Sequence, residues 1–217
     1  MKEEYLKEQT IQAFTREILE KVRPYERDYG FSFHMGRLAL VVIDMQNYFL
    51  DPRAHGYIPS ADAIIPNINR LQKYFIDNQM PVYLTQHIND EGNAGMMGIR
   101  WKEVITADHP YAAVSDKVNL PSCKVIRKPQ FDAFHDSGLE NELRDKGLSQ
   151  LIITGVMTNL CCETTVRSAF VRGFEPVMPV DATAAYNYNF HLSTFSNLAY
   201  GFMQVLSSEQ VIKMLDK

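Results

Sequence analysis

Short apolar segments that recur along the chain constrain its fold more than any other feature. The first, residues 38–43, is apolar throughout, which is typical of a strand buried on both faces of a parallel sheet. Similar segments recur at residues 82–84, 124–126, 151–153 and 176–178, with a weaker one at 204–206. Stretches with helical spacing lie between most of them, so the pattern predicts an α/β fold in which helices wrap a parallel sheet.

Size and charge narrow the class of protein. The 217 residues are enough for one α/β domain with a full core, and no apolar run approaches the ~20 residues of a membrane span. The net charge of -4, without a run rich in Lys or Arg, gives no electrostatic footprint for nucleic acid. We therefore expect neither nucleic acid nor a membrane as a partner.

The cysteines and the first residues suggest in which cellular compartment the protein resides. Cys123, Cys161 and Cys162 are odd in number and two are adjacent, which does not resemble a disulfide framework. The opening Met-Lys-Glu-Glu-Tyr is too polar to lead into the apolar core of a signal peptide. These features predict a soluble cytoplasmic protein with reduced thiols.

The N-terminal stretch, residues 1–25, has the periodicity of one amphipathic helix. Its apolar face is formed by Ile11, Phe14, Ile18 and Val22. Because this helix precedes the first strand, it must dock on the domain or on a second subunit. We predict an N-terminal helical extension at residues 1–30, followed by the main domain at residues 31–217.

Residues 87–122 interrupt the alternation of strands and helices. This connection contains three glycines and Trp101, the only tryptophan of the chain. Connections of such length are usually functional and often form a lid or a pocket wall. Its Arg100 could pair with a substrate carboxylate or lie on the surface.

Reactive side chains follow five of the predicted strands. They are Asp44, His87, Lys128, Cys161 and Asp181. Ligands of open parallel sheets bind beyond the carboxyl ends of the strands, so these side chains are candidates for one site. An acid, an amine and a thiol form a nucleophilic catalyst if Asp44, Lys128 and Cys161 converge.

Each of these residues also has a structural interpretation. A cysteine near a helix start is often inert packing, an aspartate is often a cap or an ion-pair partner, and a lysine is often solvated. Cys161, however, precedes a predicted helix, and both a helix N-terminus and a nearby Lys128 would lower the pKa of its thiol. The catalytic interpretation depends on all three residues lying at strand ends together.

Three sequence blocks carry a family resemblance. Residues 42–49 read Val-Ile-Asp-Met-Gln-Asn-Tyr-Phe, residues 128–134 read Lys-Pro-Gln-Phe-Asp-Ala-Phe, and residues 154–165 read Thr-Gly-Val-Met-Thr-Asn-Leu-Cys-Cys-Glu-Thr-Thr. In this order they resemble the signatures of isochorismatase-like cysteine hydrolases. The resemblance implies a three-layer α/β/α sandwich with a six-stranded parallel Rossmann-like sheet, in a homo-oligomer such as a dimer or tetramer.

The resemblance also implies catalytic roles. Cys161 would attack a substrate carbonyl, Asp44 would take the thiol proton and deliver it to the leaving amine, and Lys128 would hold both electrostatically. A cis peptide between Val156 and Met157 is implied as well.

The backbone N–H groups of Met157 and Cys161 would form the oxyanion hole. The adjacent Cys162, turned about 100° away on a helix, would pack instead.

Differences from the patterns of nicotinamidases and isochorismatases narrow the range of activities expected for this chain. Nicotinamidases bind a divalent metal through an Asp and two His, and Asp62 could match the Asp. Residues 85–89 lack the expected Asp-x-His, and a lone His87 cannot complete a metal site, so we predict no catalytic metal and no cofactor. True isochorismatases lack a cysteine at position 161, so this chain is expected to cleave a C–N bond. Small carboxamides, N-carbamoyl compounds or ureido compounds are the expected substrates.

A small-molecule pocket is expected around these residues. Its predicted substrate-binding residues are Gln46, Phe49, His87, Trp101, Phe134 and Thr158, with Tyr186 as a further candidate. The aromatic side chains favour a flat or partly apolar substrate. Phe49 and Phe134 could equally be core residues, and His87 could be a structural loop residue.

Other functions stay open at this point. A vinyl-ether hydrolase of the isochorismatase type would not need Cys161 for activity. A binding protein with a vestigial site would bind ligand without turnover. A thiol redox role for Cys161 and Cys162 would need a strained disulfide between neighbours.

Overall fold

A computed structural model describes residues 2–27, 30–90, 92–101, 103–118 and 121–217. Within these ranges no helix is both long and apolar enough to cross a membrane. One extended core, built from the sheet and the helices around it, contains the strand residues that the apolar segments predicted.

Seven strands of the described residues form one parallel sheet. They are β1 Leu38–Ile43, β2 Val82–His87, β3 Lys124–Lys128, β4 Gln150–Val156, β5 Glu175–Pro179, β6 Thr183–Ala184 and β7 Gln204–Leu206. The order is β3-β2-β1-β4-β5-β7, and β6 pairs with β4. The predicted fold class is confirmed, but the sheet has one strand more than the six expected. The extra strand β6 is only two residues long, too short to produce a recognisable apolar run.

Helices cover both faces of this sheet. They are α1 Ile11–Val22, α2 Asn47–Leu50, α3 Ala61–Asp77, α4 Met96–Arg100, α5 Leu139–Asp145, α6 Glu163–Val171, α7 Tyr188–Gly201 and α8 Ser208–Leu215. Helix α3 shows why the sequence folds this way, because its buried Ile64, Ile68, Leu71 and Phe75 repeat at helical spacing. The middle strand β1 lies between β2 and β4 and is buried at every position, which explains its continuous apolar run.

The N-terminal stretch differs from the single helix predicted over residues 1–25. The α-helix covers only Ile11–Val22, with 3₁₀ turns at Glu8–Thr10 and Arg23–Tyr25, and residues 2–7 are not helical. Helix α1 packs on α7 through its predicted apolar face. Residues 2–7 leave the helix because their backbone groups bond to other parts of the fold, which outweighs local periodicity.

Gly155 allows the carboxyl ends of β1 and β4 to meet closely. Its φ is +101°, and a Cβ added there would lie 2.1 Å from the carbonyl oxygen of Ile43. Only glycine fits this position, since any side chain would collide with the neighbouring backbone. The close approach brings the residues after β1 and those after β4 to one place.

Candidate active site

Three of the five strand-end residues converge in the structure. Asp44 directly follows β1, Lys128 ends β3, and Cys161 lies in a π-helical turn, Thr158–Cys162, that follows β4. The Nζ of Lys128 lies 2.7 Å from Oδ2 of Asp44, and both side chains are fully buried. The Cys161 thiol is within hydrogen-bonding reach of both.

Asp181 lies apart from this group. Its carboxylate accepts hydrogen bonds from the N–H and the hydroxyl of Ser208, both at 2.8 Å, and so holds the start of α8. Asp181 is thus a strand-end residue with a structural role.

The carboxylate of Asp44 is fixed by its neighbour on β2. The Thr85 hydroxyl accepts a hydrogen bond from the Asp44 N–H at 3.0 Å and donates one to Oδ1 at 2.6 Å. With Oδ1 occupied, Oδ2 is the oxygen that faces Lys128. Asp44 also has a φ of +49°, an unusual backbone conformation for a residue other than glycine. Thr85 is a positioning residue that the sequence pattern did not reveal.

Lys128 is an ammonium group enclosed by acceptors. Besides Asp44, its Nζ donates to the carbonyl oxygen of Gln130 at 2.8 Å. Burial alone would lower the pKa of this amine, but the Asp44 carboxylate, with a further contribution from Cys161, raises it above its ordinary value. Lys128 therefore stays charged and balances the Asp44 carboxylate.

The Cys161 thiol does not have the lowered pKa that its position before a helix predicted. Burial raises the pKa of Cys161 to about 12, Lys128 opposes this, and Asp44 adds to it. The expectation was wrong because removal from water disfavours a thiolate more than one ammonium and a helix start favour it. The resting thiol therefore carries its proton, and a neighbouring base must remove it before it can attack.

Cys161 and Cys162 face different surroundings. Cys161 lines a cavity, whereas Cys162 lies in the core with its sulfur 3.9 Å from the carbonyl oxygen of Thr154. Both thiols are free, and burial raises the pKa of Cys162 as well. The prediction that Cys162 packs rather than faces the site is confirmed.

The cavity above Cys161 has a mainly aromatic and apolar wall. It is lined by Tyr48, Phe49, His55, Gly56, His87, Asn89, Met97, Trp101, Glu103, Val104, Ile105, Phe131, Met157, Leu160, Cys161 and Tyr186. The predicted Phe49, His87, Trp101 and Tyr186 are among them. The long connection after β2 supplies many of the others, as its length suggested.

Two predicted substrate contacts do not line the cavity. Gln46 is buried, its amide donates to the carbonyl oxygens of His87 and Ala112 at 3.1 and 2.7 Å, and its Oε1 accepts from the His87 N–H. Its hydrogen-bonding groups are thus engaged in joining β1 to β2. Phe134 stacks on Phe174 with ring centroids 5.4 Å apart, outside the cavity lining.

Thr158 is the third predicted substrate contact that does not line the cavity. It begins the turn that carries Cys161, but it is fully buried and its hydroxyl lies 3.4 Å from Nδ1 of His191. The side chain therefore faces α7 rather than the cavity. Arg100 is exposed and does not line the cavity either.

His87 contributes a neutral polar group to the wall. Asn89 donates its amide hydrogen to the carbonyl oxygen of Pro129 at 2.9 Å, so its Oδ1 is the atom that faces Nε2 of His87 at 3.0 Å. That arrangement places the ring hydrogen on Nε2. Burial, followed by the charge of Lys128, lowers the pKa of His87 to about 4, so the imidazole is uncharged near neutral pH.

The potential metal-ligating side chains are dispersed. In the ranges described, no three His, Cys, Asp or Glu side chains gather closely enough to hold a metal ion. Asp62, which could match a nicotinamidase ligand, is exposed on α3 and forms an ion pair with Lys117 at 2.7 Å.

Glu103 is a charged residue of the cavity wall that sequence reasoning missed. Its Oε1 lies 3.3 Å from Nε2 of His109, and its carboxylate is in hydrogen-bond contact with the Tyr48 hydroxyl. These hydrogen bonds lower the pKa of Glu103 although burial acts in the opposite direction. Nothing in the irregular segment around Glu103 distinguishes it from a surface carboxylate, because its position depends on how that segment folds back.

Comparison with known proteins identifies relatives of this arrangement. The isochorismatase domain model matches residues 38–210. Nicotinamidase 3 of Arabidopsis thaliana is 33% identical over 184 residues, covering 82% of this chain and 88% of that protein. Enterobactin synthase component B of Escherichia coli is 32% identical over 186 residues, and the match covers 84% of this chain but 65% of that protein. A cysteine hydrolase from Pseudomonas syringae pv. phaseolicola superposes with a TM-score of 0.82 at 25% identity, covering 86% of this chain and 95% of that structure.

Proposed function

This chain belongs to the isochorismatase family, whose domain model matches residues 38–210, and on that premise we propose that it is a cysteine-dependent amidohydrolase. It cleaves a C–N bond in a small carboxamide, N-carbamoyl or ureido compound. One observation carries the proposal: the Cys161 thiol lies at the cavity, in contact with the buried pair of Asp44 and Lys128.

Asp44 acts as the general base. Because the pKa of Cys161 is about 12, the thiol is protonated near neutral pH and needs a base in contact with it. Asp44 takes that proton, and Lys128 compensates the negative charge that appears on sulfur. The ammonium thus favours the thiolate at the moment of attack rather than in the resting enzyme.

Acylation forms a thioester. The thiolate of Cys161 attacks the substrate carbonyl carbon, and the carbonyl oxygen becomes an oxyanion that accepts hydrogen bonds from the N–H groups of Met157 and Cys161. Both residues line the cavity. When the tetrahedral intermediate collapses, the C–N bond breaks and Asp44 returns its proton to the leaving nitrogen. A primary amide or a carbamoyl group releases ammonia in this step.

Deacylation restores the thiol. A water molecule attacks the thioester carbonyl while Asp44 accepts its proton, and the C–S bond then breaks. The acid leaves, and the sulfur of Cys161 recovers a proton from Asp44. The cycle consumes one water and needs no metal and no redox partner.

The wall of the cavity favours a small substrate with a flat or apolar part. Phe49, Trp101, Phe131 and Tyr186 provide aromatic surface, while His87 is a neutral polar contact. The Glu103 carboxylate would repel an anionic group close to it. These features support a neutral carboxamide over a substrate with several carboxylates.

A panel of amides tests the proposal. Ammonia release from nicotinamide, maleamate, N-carbamoyl amino acids, biuret and ureidoacrylate is measured for the wild type, Cys161→Ala and Cys162→Ala. We expect turnover by the wild type and by Cys162→Ala, the matched control, and at least a 10³-fold loss in Cys161→Ala. Equal turnover by Cys161→Ala would remove the thiol from the mechanism and favour an ether hydrolase instead.

A further inference from the structure

Residues 2–6, here called the N-terminal strap, lie against two segments of the cavity wall. They precede the part of the chain that the family model matches, residues 38–210. One wall segment, residues 55–60, contributes His55 to the cavity, and the other, residues 185–188, contributes Tyr186. The strap contacts both segments.

The first set of contacts attaches the strap to residues 55–60. The Lys2 ammonium donates to the carbonyl oxygen of His55 at 2.5 Å. The backbone N–H groups of Tyr5 and Leu6 both donate to the hydroxyl oxygen of Ser60, each at 3.1 Å. Ser60 is fully buried, so these bonds are protected from water.

The second set attaches the strap to residues 185–188. The Glu3 N–H donates to the carbonyl oxygen of Tyr186 at 2.8 Å, and its carboxylate accepts from the Tyr188 N–H at 2.8 Å. The Lys2 Nζ also lies 4.7 Å from the centroid of the Tyr186 ring, which is a cation–π distance. Lys2 thus contacts both wall residues, His55 and Tyr186.

Tyr5 extends the connection toward the turn that carries Cys161. Its hydroxyl oxygen accepts a hydrogen bond from the Ala185 N–H at 2.9 Å and lies 3.0 Å from Nδ1 of His191. The same nitrogen of His191 lies 3.4 Å from the hydroxyl of Thr158, the first residue of that turn. A continuous set of polar contacts therefore joins the strap to the cavity wall and to the base of the turn.

We propose that the N-terminal strap is a specificity-determining part of the active site, with Lys2 and Tyr5 as positioning residues. They hold His55 and Tyr186 at the separation that fits the substrate, an inference that rests on the proposed amidohydrolase function. The hydroxyl of Tyr186 already reaches the carbonyl oxygen of Gly56 at 3.4 Å, so the two wall segments meet directly under the strap. Without the strap, the hydrogen bonds that attach each segment to it would be lost, and this weak contact would lose their support.

Kinetics of point variants test the role of the strap. Lys2→Ala removes the contacts with His55 and Tyr186, and Tyr5→Phe removes one hydroxyl while keeping the partly buried ring. We expect KM for the best substrate of the panel to rise about fivefold in Lys2→Ala, with kcat within twofold of the wild type. Tyr5→Phe should lower kcat/KM about tenfold, because wall and turn both shift.

Matched controls separate this role from general stability. Lys73→Ala removes an exposed lysine of α3 that pairs with Asp77, and Tyr25→Phe removes the hydroxyl of an exposed tyrosine. Both controls should keep wild-type kinetics. If the controls shift KM as much as the strap variants do, or if the strap variants keep wild-type KM and kcat, the proposal is overturned.

Alkylation of Cys161 provides a second readout that needs no substrate. Wild type and variants are treated with iodoacetamide, which is small, and with N-phenylmaleimide, which is bulky, and labelling of Cys161 is followed by peptide mass spectrometry. We expect the rate ratio of bulky to small reagent to rise at least threefold in both strap variants and to stay unchanged in the controls. An unchanged ratio in the strap variants would overturn the strap proposal alone. Equal turnover of the amide panel by wild type and Cys161→Ala, with the labelling ratio still raised in the strap variants, would overturn the proposed function and leave the strap as a positioning element of the cavity.

Discussion

Asp44 and Lys128 form an ion pair from which water is fully excluded. Burying two charges costs free energy that their mutual attraction often fails to offset, so such a pair is weak evidence for stability. A fully buried pair that also contacts a cavity-lining thiol is better explained by chemistry. The sequence predicted these three residues because each directly follows a strand or its turn. It could not predict Thr85, since a threonine inside a strand has no pattern that marks it as a partner of Asp44.

Titration of Cys161 is a prediction at the residue scale. Its pKa is raised to about 12, so the group holds its proton throughout the range in which an ordinary thiol near pKa 8.5 ionises. The ultraviolet absorbance of thiolate, measured as wild type minus Cys161→Ala, should therefore stay near zero between pH 6 and about 10. A thiolate signal with a midpoint below about pH 9 would contradict the assignment of Asp44 as the obligatory base.

Replacement of Lys128 is a second prediction at this scale. Lys128→Met leaves the Asp44 carboxylate buried without its cation, which should lower the free energy of unfolding by about 3–5 kcal/mol and abolish turnover. Lys124→Met on the same strand is the control, because the exposed ion pair of Lys124 with Glu142 contributes at most about 1 kcal/mol. Urea denaturation measures both. Equal stability of the two variants would show that the buried charge is compensated elsewhere.

The sequence predicts a strand most clearly where every residue of the strand is buried. Each predicted strand is present, and β1 is buried at every position, because a strand covered on both faces must be apolar along its whole length. The edge strand β3 is exposed at three of its five positions, so uniform burial does not explain its apolar run. The two-residue strand β6 and the non-helical residues 2–7 were missed, since their structure depends on hydrogen bonds to distant segments. The turn Thr158–Cys162 is π-helical and precedes α6. Cys161 therefore lies inside a helical turn, and not in a loop before that helix as the sequence suggested.

Gly155 gives a prediction at the element scale. Gly155→Ala adds a Cβ 2.1 Å from the Ile43 carbonyl oxygen, so β1 and β4 must separate where Asp44 and Cys161 meet. We expect a loss of at least about 3 kcal/mol in unfolding free energy and a loss of activity.

Gly147→Ala is the matched control for this substitution. Gly147 also has a positive φ, +67°, but no atom lies within 4 Å of its added Cβ, so it should cost about 1 kcal/mol and keep activity. Urea denaturation compares the two variants. A similar loss in both would attribute the effect to backbone conformation and not to the contact between strands.

For the whole molecule, the sequence predicted the cluster of Asp44, Lys128 and Cys161 better than it predicted the pocket. These residues lie at strand ends, which the order of strands brings together. The wall comes from irregular segments near residues 55, 101 and 186, whose positions depend on packing between distant parts of the chain. Because the sequence does not show this packing, it placed Gln46, Phe134 and Thr158 on the wall. The structure has Tyr48, Glu103 and Phe131 there instead. The oligomeric state stays a prediction, because it depends on surfaces that no sequence pattern of this chain describes.

The central claim is that Cys161 becomes acylated during turnover, and one measurement tests it most directly. The wild-type enzyme is mixed with the best amide of the panel, quenched in acid within milliseconds to seconds, and examined by intact-protein and peptide mass spectrometry. We expect a mass increase equal to the acyl group, located on the peptide that contains Cys161 and absent from Cys161→Ala. Turnover without any adduct on the wild type, together with undiminished turnover by Cys161→Ala, would contradict it.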